Sequence, residues 1–359
     1  MPPRWLELDW WHELDWWHEL DARMSWTRRN LLDVADFGPG DVELLLGRAR
    51  QMRARLEAAG PRDEPRDELR GRRVALLFAE PSTRTRLSFE IAARNLSADV
   101  LVLEAAGSSL AKGETLTDTA RTLDALGVAV LVLRHHRSGA PWVAARHFGG
   151  HVVNAGDGWH AHPTQALVDL FTLRSAWQAD SLRGRKVVIV GDLLHSRVAR
   201  SNIWTLTLDG AEVWLCGPRT LLRGFEDLAR SLSDGRRLSV TDELETALRD
   251  ADAVMALRIQ RERMSDASLS LTGYIGAYQI DERRMTLARP DAWFLHPGPI
   301  NEGVEVTRGV AGGTRSLVLE QVRNGVPIRM AVLDLLAADN RQRFSRRASA
   351  RVRGGSAPR

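Results

Sequence analysis

Cysteine is nearly absent from this chain, and lysine is almost as scarce. One of the 359 residues is Cys, Cys216 in "AEVWLCG", so no internal disulfide can form. Its apolar setting reads as a buried strand, which makes it a small core residue in a protein of the reducing cytoplasm. Two lysines, Lys112 and Lys186, stand among 50 basic residues, and the other 48 are Arg. That bias is compositional, and it makes a lysine that remains more informative. No apolar run reaches the length of a membrane span, and the N-terminus lacks the charged, apolar, small-residue pattern of a signal peptide. No G-x-G-x-x-G follows the strand-like "VVIVGD", which leaves a nucleotide-dependent dehydrogenase little support. The histidines lack metal-ligand spacing: the fourth residue after His12 is Trp16, which breaks H-E-x-x-H. Neither a metal nor a cofactor is expected.

The remaining composition is ordinary for a folded chain, with 44% apolar and 27% charged residues. The length suffices for two domains, each with a core of its own. A pI near 9.9 invites a nucleic-acid reading, but the charge is badly distributed for one. The last nineteen residues carry seven Arg and no acid, so without them the net charge of +4 becomes −3. Residues 1–23 hold six acids and two Arg, which leaves 24–340 at +1. A basic tail is most often a solvated end, and no nucleic acid or membrane is expected as a partner. Residues 7–21, "ELDWWHELDWWHELD", repeat a six-residue unit and hold four of the twelve Trp. We read them as a tandem duplication, or as translation begun upstream of a natural start at Met24, rather than as an amphipathic interaction segment.

From residue 72 onward strand-like and helical patterns alternate. "VALLF", "DVLVLE" (99–104), "VAVLVLR" (128–134) and "HVVNAG" (151–156) read as strands, with helical patterns at 85–96, 115–126 and 140–148 between them. A long helical stretch at 162–177 follows, and a second set begins with "KVVIVGD", "AEVWLCG", "RLSVT" and "ADAVMAL". The pattern predicts an α/β protein of two similar-sized domains, each a parallel sheet flanked by helices. Ligands of such sheets sit at the strand C-termini, so the active site is expected in the interdomain cleft.

Those strand ends carry the chemistry. "FAEPSTRTRLSFE" puts three hydroxyls and two guanidiniums into Ser82–Arg86, between a strand and a helix start. Unpaired backbone N–H groups and the helix dipole favour an anion there, and the hydroxyls and Arg forks add donors. A plain N-cap with two solvent-facing arginines would explain Ser82 or Thr83 but not the whole set. Elsewhere "GSSLAKGETLTDT" offers Ser108, Ser109 and Lys112 in a loop, and "RHHRSGAP" puts Arg134 and His135 at a strand tip. "HAHPTQ" supplies His162 and Gln165, "VGDLLHSRVARSN" Arg197, "ALRIQRER" Arg258 and Gln260, and "FLHPGPINEG" a turn at 296–301. An isolated Arg at a strand end is usually a surface charge; six such ends on one face are not.

In this order and spacing the motifs "STRTR", "KGETL", "HPTQ", "VGDLLHSRVARSN", "LRIQRER" and "HPGP" resemble the aspartate/ornithine carbamoyltransferase family, on its aspartate side, from about Asn30 to Leu336. The resemblance implies transfer of a carbamoyl group from carbamoyl phosphate to L-aspartate, in pyrimidine synthesis. It implies that Ser82, Thr83, Arg84 and Thr85 hold the phosphate. Thr85, Arg134 and His162 would polarise the carbamoyl carbonyl and act as the catalytic set, with Gln165 converging on the same group and Gly298 and Pro299 contributing backbone carbonyls near its nitrogen and the incoming amine. Lys112, Arg197, Arg258 and Gln260 would serve aspartate, whose two carboxylates need separate cationic forks. Lys112 would reach a neighbour's site in a homotrimer; whether regulatory or dihydroorotase chains join is left open.

The implied division is an extension with the repeat at 1–29, disordered, and a carbamoyl phosphate domain at 30–165. An aspartate domain follows at 166–320, then a helix at 321–340 returning to the first domain and a basic disordered tail at 341–359. His135 stands where the family often has Pro, and Glu302 where it often has Arg. The rival readings are an ornithine or other carbamoyltransferase and an inactive homologue serving as a scaffold. The "HPGP" turn lacks the Cys of the ornithine enzymes' "HCLP", and the intact sets argue against a scaffold.

Overall fold

The computed structural model describes residues 26–58, 67–104, 113–232, 236–259 and 270–353. Four strands, β1 (Arg73–Phe78), β2 (Asp99–Glu104), β3 (Val128–His135) and β4 (His151–Asp157), form one parallel sheet in the order β2-β1-β3-β4. β1, β2 and β3 are nearly unbroken runs of branched apolar residues because helices cover both faces, whereas β4 is apolar only at Val152, Val153 and Ala155. All of β4 and all but the first residue of β1 are buried. Helices α1 (Pro39–Ala58), α2 (Thr83–Asn95), α3 (Leu116–Ala125) and α4 (Ala140–His147) flank this sheet. Leu31 adds a short parallel bridge to Val153, which ties the segment before α1 to the sheet edge.

Helix α5 (Pro163–Trp177) leads to the second sheet and runs unbroken across residues 165 and 166, where the sequence divides the domains. That sheet is also parallel, in the order β7-β6-β5-β8-β9. Its strands are β5 (Lys186–Val190), β6 (Glu212–Cys216), β7 (Arg237–Thr241), β8 (Ala253–Ala256) and β9 (Trp293–Leu295). Helices α6 (Arg197–Leu208), α7 (Phe225–Ser231), α8 (Leu244–Leu248), α9 (Leu271–Tyr278), α10 (Glu282–Met285) and α11 (Arg308–Ala311) surround it. Cys216 is the last residue of β6 and fully buried, and burial pushes its thiol up to about 12. A thiol so held is a packing group rather than a nucleophile.

The last helix, α12 (Val318–Arg353), returns to the first sheet and packs on α1, α2 and α5. It starts before residue 321 and continues past residue 340, where the sequence was expected to leave the fold. The reason is local: Arg, Gln and Ala favour helix, and neither Gly nor Pro occurs between Pro327 and Gly354. Among the described residues no helix is long and apolar enough to cross a membrane, and no group of three or more His, Cys, Asp or Glu is placed to hold a metal.

Candidate active site

In each sheet the strand order reverses direction once, between β1 and β3 in the first and between β5 and β8 in the second. Loops leaving neighbouring strands diverge at such a point and open a crevice at the strands' carboxyl ends. The two crevices face each other across a single cleft of about 580 Å³.

The first wall is the start of α2. Ser82 occupies the N-cap position with extended backbone, yet its side chain makes no cap bond. The first helical hydrogen bond runs from Arg86 N–H to Ser82 C=O. The N–H groups of Thr83, Arg84 and Thr85 therefore lack a helical acceptor. No acid occupies the first turn to neutralise the positive end of the helix. Ser82, Thr83, Arg84 and Thr85 all line the cleft, with Thr85 buried and Ser88 one turn further in. The hydroxyls that a plain cap would have consumed remain available to a ligand.

Two arginines reach the cleft from different sheets and share one carboxylate. Arg134, near the tip of β3, donates through Nη2 to Glu80 Oε1 at 2.7 Å and through Nη1 to the Ala155 carbonyl at 3.3 Å. Arg197, the first residue of α6, donates to Glu80 Oε2 at 3.0 Å and to the Gly158 carbonyl at 3.2 Å, and makes a further short bond to Glu80 Oε1. Gly156 makes this crossing possible. Its φ is +116°, and a Cβ there would lie 3.1 Å from both Arg134 Nη1 and Arg197 Nε.

His162 caps α5 from the third side. Its ring is fully buried, Nδ1 has no hydrogen-bond partner, and burial followed by Arg134, Arg197 and Arg329 holds its pKa well below the usual value. A neutral ring carries one N–H to offer to a ligand oxygen. Gln165 lies one turn along α5 with its Nε2 bonded to Asp169 Oδ1 at 2.8 Å. Opposite, Pro297, Gly298 and Pro299 form the rim, and Arg258 enters from the end of β8.

Eleven residues expected from the sequence thus line one cleft: Ser82, Thr83, Arg84, Thr85, Arg134, His162, Gln165, Arg197, Arg258, Gly298 and Pro299. Lys112 and Gln260, like Ser108 and Ser109, lie outside the described residues. The two departures from the family pattern stay off the lining. His135 Nδ1 accepts from the Arg137 backbone N–H at 2.9 Å, and Glu302 is exposed. Among the lining residues to which the sequence assigns no role are Glu80, Ser88, Gln321 and Arg329. Glu80 directly precedes "PSTRTR", and a lone acid before a cationic turn was the available signal.

Fold and cleft together define a two-domain α/β protein built to hold anionic ligands between its domains. The chain belongs to the aspartate/ornithine carbamoyltransferase family. The family's carbamoyl-P binding domain matches residues 29–175 and its Asp/Orn binding domain residues 183–336. The chain is 48% identical over 313 residues to the aspartate carbamoyltransferase catalytic subunit of Roseiflexus sp. (strain RS-1), covering 87% of this chain and 96% of that one. It is 49% identical over 310 residues to the subunit of the same name from Desulforudis audaxviator (strain MP104C), covering 86% and 97%. Among solved structures it resembles aspartate transcarbamoylase from Trypanosoma cruzi in complex with carbamoyl aspartate and phosphate. That match has TM-score 0.74 and 30% identity, over 85% of this chain and 95% of the other. Ornithine carbamoyltransferase from Pyrococcus furiosus matches with TM-score 0.77 at 28% identity, over 88% and 99%.

Proposed function

We propose that the chain transfers the carbamoyl group of carbamoyl phosphate to the amine of L-aspartate, giving N-carbamoyl-L-aspartate and phosphate for pyrimidine synthesis. The observation that carries this is the pairing of walls. An uncapped, hydroxyl-rich helix start shares one cleft with Arg134, His162, Arg197 and Arg258. A dianionic leaving group suits the first wall and a dicarboxylate the second. Relatives of nearly half-identical sequence bear the name aspartate carbamoyltransferase catalytic subunit.

On this reading Ser82, Thr83, Arg84 and Thr85 bind the phosphate. Thr85, Arg134 and His162 donate to the carbamoyl oxygen as the amine attacks, and donors of this kind are worth roughly 10²–10³ in rate. Gln165 and the Gly298–Pro299 turn face the carbamoyl nitrogen. Arg197, Arg258 and Gln260 hold the aspartate carboxylates, and Lys112 completes the site from a neighbouring chain of a homotrimer in the cytoplasm. A C–N bond forms, the bond from carbon to the phosphate oxygen breaks, and the amine proton leaves with the phosphate. Positioning and charge supply the acceleration, with no covalent intermediate.

The test is transfer from carbamoyl phosphate to aspartate or ornithine by the purified chain. Aspartate alone should be carbamoylated. Arg258→Ala removes a charge-assisted contact and should raise the KM for aspartate roughly 10- to 150-fold, with carbamoyl phosphate binding almost unchanged. Carbamoylated ornithine, or no product with either amine, would overturn the proposal.

A further inference from the structure

Behind the cleft lies a buried carboxylate that none of the roles above uses. Asp169 on α5 is fully buried, and both its oxygens are occupied. Gln165 Nε2 and Gln321 Nε2 donate to Oδ1 at 2.8 and 2.7 Å, and Asn202 Nδ2 donates to Oδ2 at 2.8 Å. Three helices, α5, α6 and α12, thus meet on one acidic group.

The direction of these bonds follows from donors that cannot reverse. The His296 backbone N–H can only donate, and it donates to Gln321 Oε1 at 3.0 Å. Gln321 must therefore turn its amide nitrogen toward Asp169. One residue pair further on, the Gly298 N–H can only donate, and His296 Nδ1 accepts it at 2.9 Å. That leaves the ring proton on Nε2, facing Glu305 Oε1 at 3.2 Å. The same Glu305 oxygen accepts the Asn301 N–H at 2.6 Å, which closes the 298–301 turn onto the string. At the other end Gln165 has its nitrogen committed to Asp169, so Oε1 is the atom it keeps for the cleft it lines.

An amide nitrogen held in this cleft needs acceptors, and both candidates hang from this string. We infer that Asp169 is the positioning residue that sets Gln165 Oε1 and the Gly298–Pro299 turn as the two acceptors for the carbamoyl N–H groups. The inference rests on the carbamoyl-transfer reading above and adds to it the group that fixes the donor's orientation. An ionised carboxylate is the one side chain of this size that accepts at both ends; an amide or a protonated acid offers a donor at one of them. The groups facing Asp169 are Gln165 on its own helix, Asn202 on α6, and Gln321 and Arg329 on α12. Arg329 is the one charge among these groups. Burial pushes the carboxyl up to about 6, so the acceptor state is present at neutral pH.

The bland account is a staple for three helices, and the experiment must separate the two. Asp169→Asn keeps the volume and replaces one acceptor by a donor. We would measure kcat/KM for carbamoyl phosphate and, separately, inhibition by inorganic phosphate, which fills the Ser82–Thr85 wall and has no N–H. Misplaced acceptors should cut kcat/KM roughly 10- to 100-fold while the phosphate inhibition constant moves less than about twofold. Gln321→Met, which cuts the string between Asp169 and His296 but leaves the carboxylate its bonds from Gln165 and Asn202, should show the same split and serves if Asp169→Asn does not fold. Combining Asp169→Asn with Gln165→Ala should cost less than the product of the single losses, since one acts through the other. Parallel loss of phosphate affinity in both variants, or unchanged kcat/KM, would overturn the inference. A wild-type chain that carbamoylates no amine would instead overturn the reading beneath it, and the inference with it.

Discussion

Gly298 and Arg84 come from opposite walls of the cleft, and a Cβ at Gly298 would lie 2.7 Å from the Arg84 guanidinium carbon. The Arg84 side chain could swing away from such a Cβ, so it is the φ of +70° that favours glycine at this position. His162 shows the opposite economy, a titratable ring kept from titrating. Its folded pKa lies well below 6.5 because burial, then three guanidiniums, disfavour the imidazolium. The linkage has a definite sign. As pH falls through 6.5 the unfolded chain protonates this ring and the folded chain does not, so stability is lost at up to about 1.4 kcal/mol per pH unit. It is fully present above 6.5. Asp169 acts the other way, since its raised pKa lets the folded chain take a proton first, but it is common to both proteins in the comparison. Melting temperature followed from pH 7 to 5.5 should therefore fall more steeply in the wild type than in His162→Asn. Equal slopes would mean that His162 titrates normally in the folded protein.

Among the elements, α5 carries most of what joins the two sheets. Its N-cap is His162, Asp169 lies in its middle, and its last turn carries Arg174, which binds across to α1 and to the end of α6. Arg174 donates to Asp209 Oδ2 at 3.0 Å and Glu43 Oε1 at 2.7 Å, with a further short bond to Asp209 Oδ1. Removing the guanidinium in Arg174→Met would strand Asp209, whose pKa burial already raises. The expected cost is roughly 3–5 kcal/mol, read by denaturant titration, with kcat of the folded fraction near wild type because Arg174 lines no part of the cleft. A change under about 1 kcal/mol would show the cluster to be dispensable. The elements that the sequence displayed plainly were those whose cause is local. β1 to β3 are runs of branched apolar residues because parallel strands are covered on both faces, and α2 to α5 fall within two residues of their expected bounds. β9 escaped notice because Trp293–Leu295 is three residues long, and no periodicity can be read from three. In the site, Arg, Ser, Thr and His at strand ends stood out by residue type. Glu80, Gln321, Arg329 and Asp169 did not, because what they do depends on partners far along the chain. The Gln321–Asp169 bond spans 152 residues, and nothing near either residue announces it.

The whole molecule raises the question of whether one chain makes a complete site. Arg84 lies exposed in the cleft lining, beside the Gly298 turn. In a chain with 48 arginines, a compact ammonium at Lys112 suits a point contact with an anion rather than a planar fork. A lysine that serves a neighbour's phosphate or carboxylate makes a trimer the smallest active unit, and a mixing experiment reads this directly. Chains bearing Arg84→Ala and chains bearing Lys112→Ala, each nearly inactive alone, are unfolded together in equal amounts and refolded. In a closed head-to-tail ring every mixed trimer places an intact Arg84 from one chain beside an intact Lys112 from the next in one of its sites. Random mixing should then restore about a quarter of wild-type activity, since each site needs one particular ordered pair of chains. If the lysine served its own chain, every site in every hybrid would keep one lesion. Hybrids that assemble but remain as inactive as their parents would therefore assign Lys112 to its own chain and end the shared-site proposal.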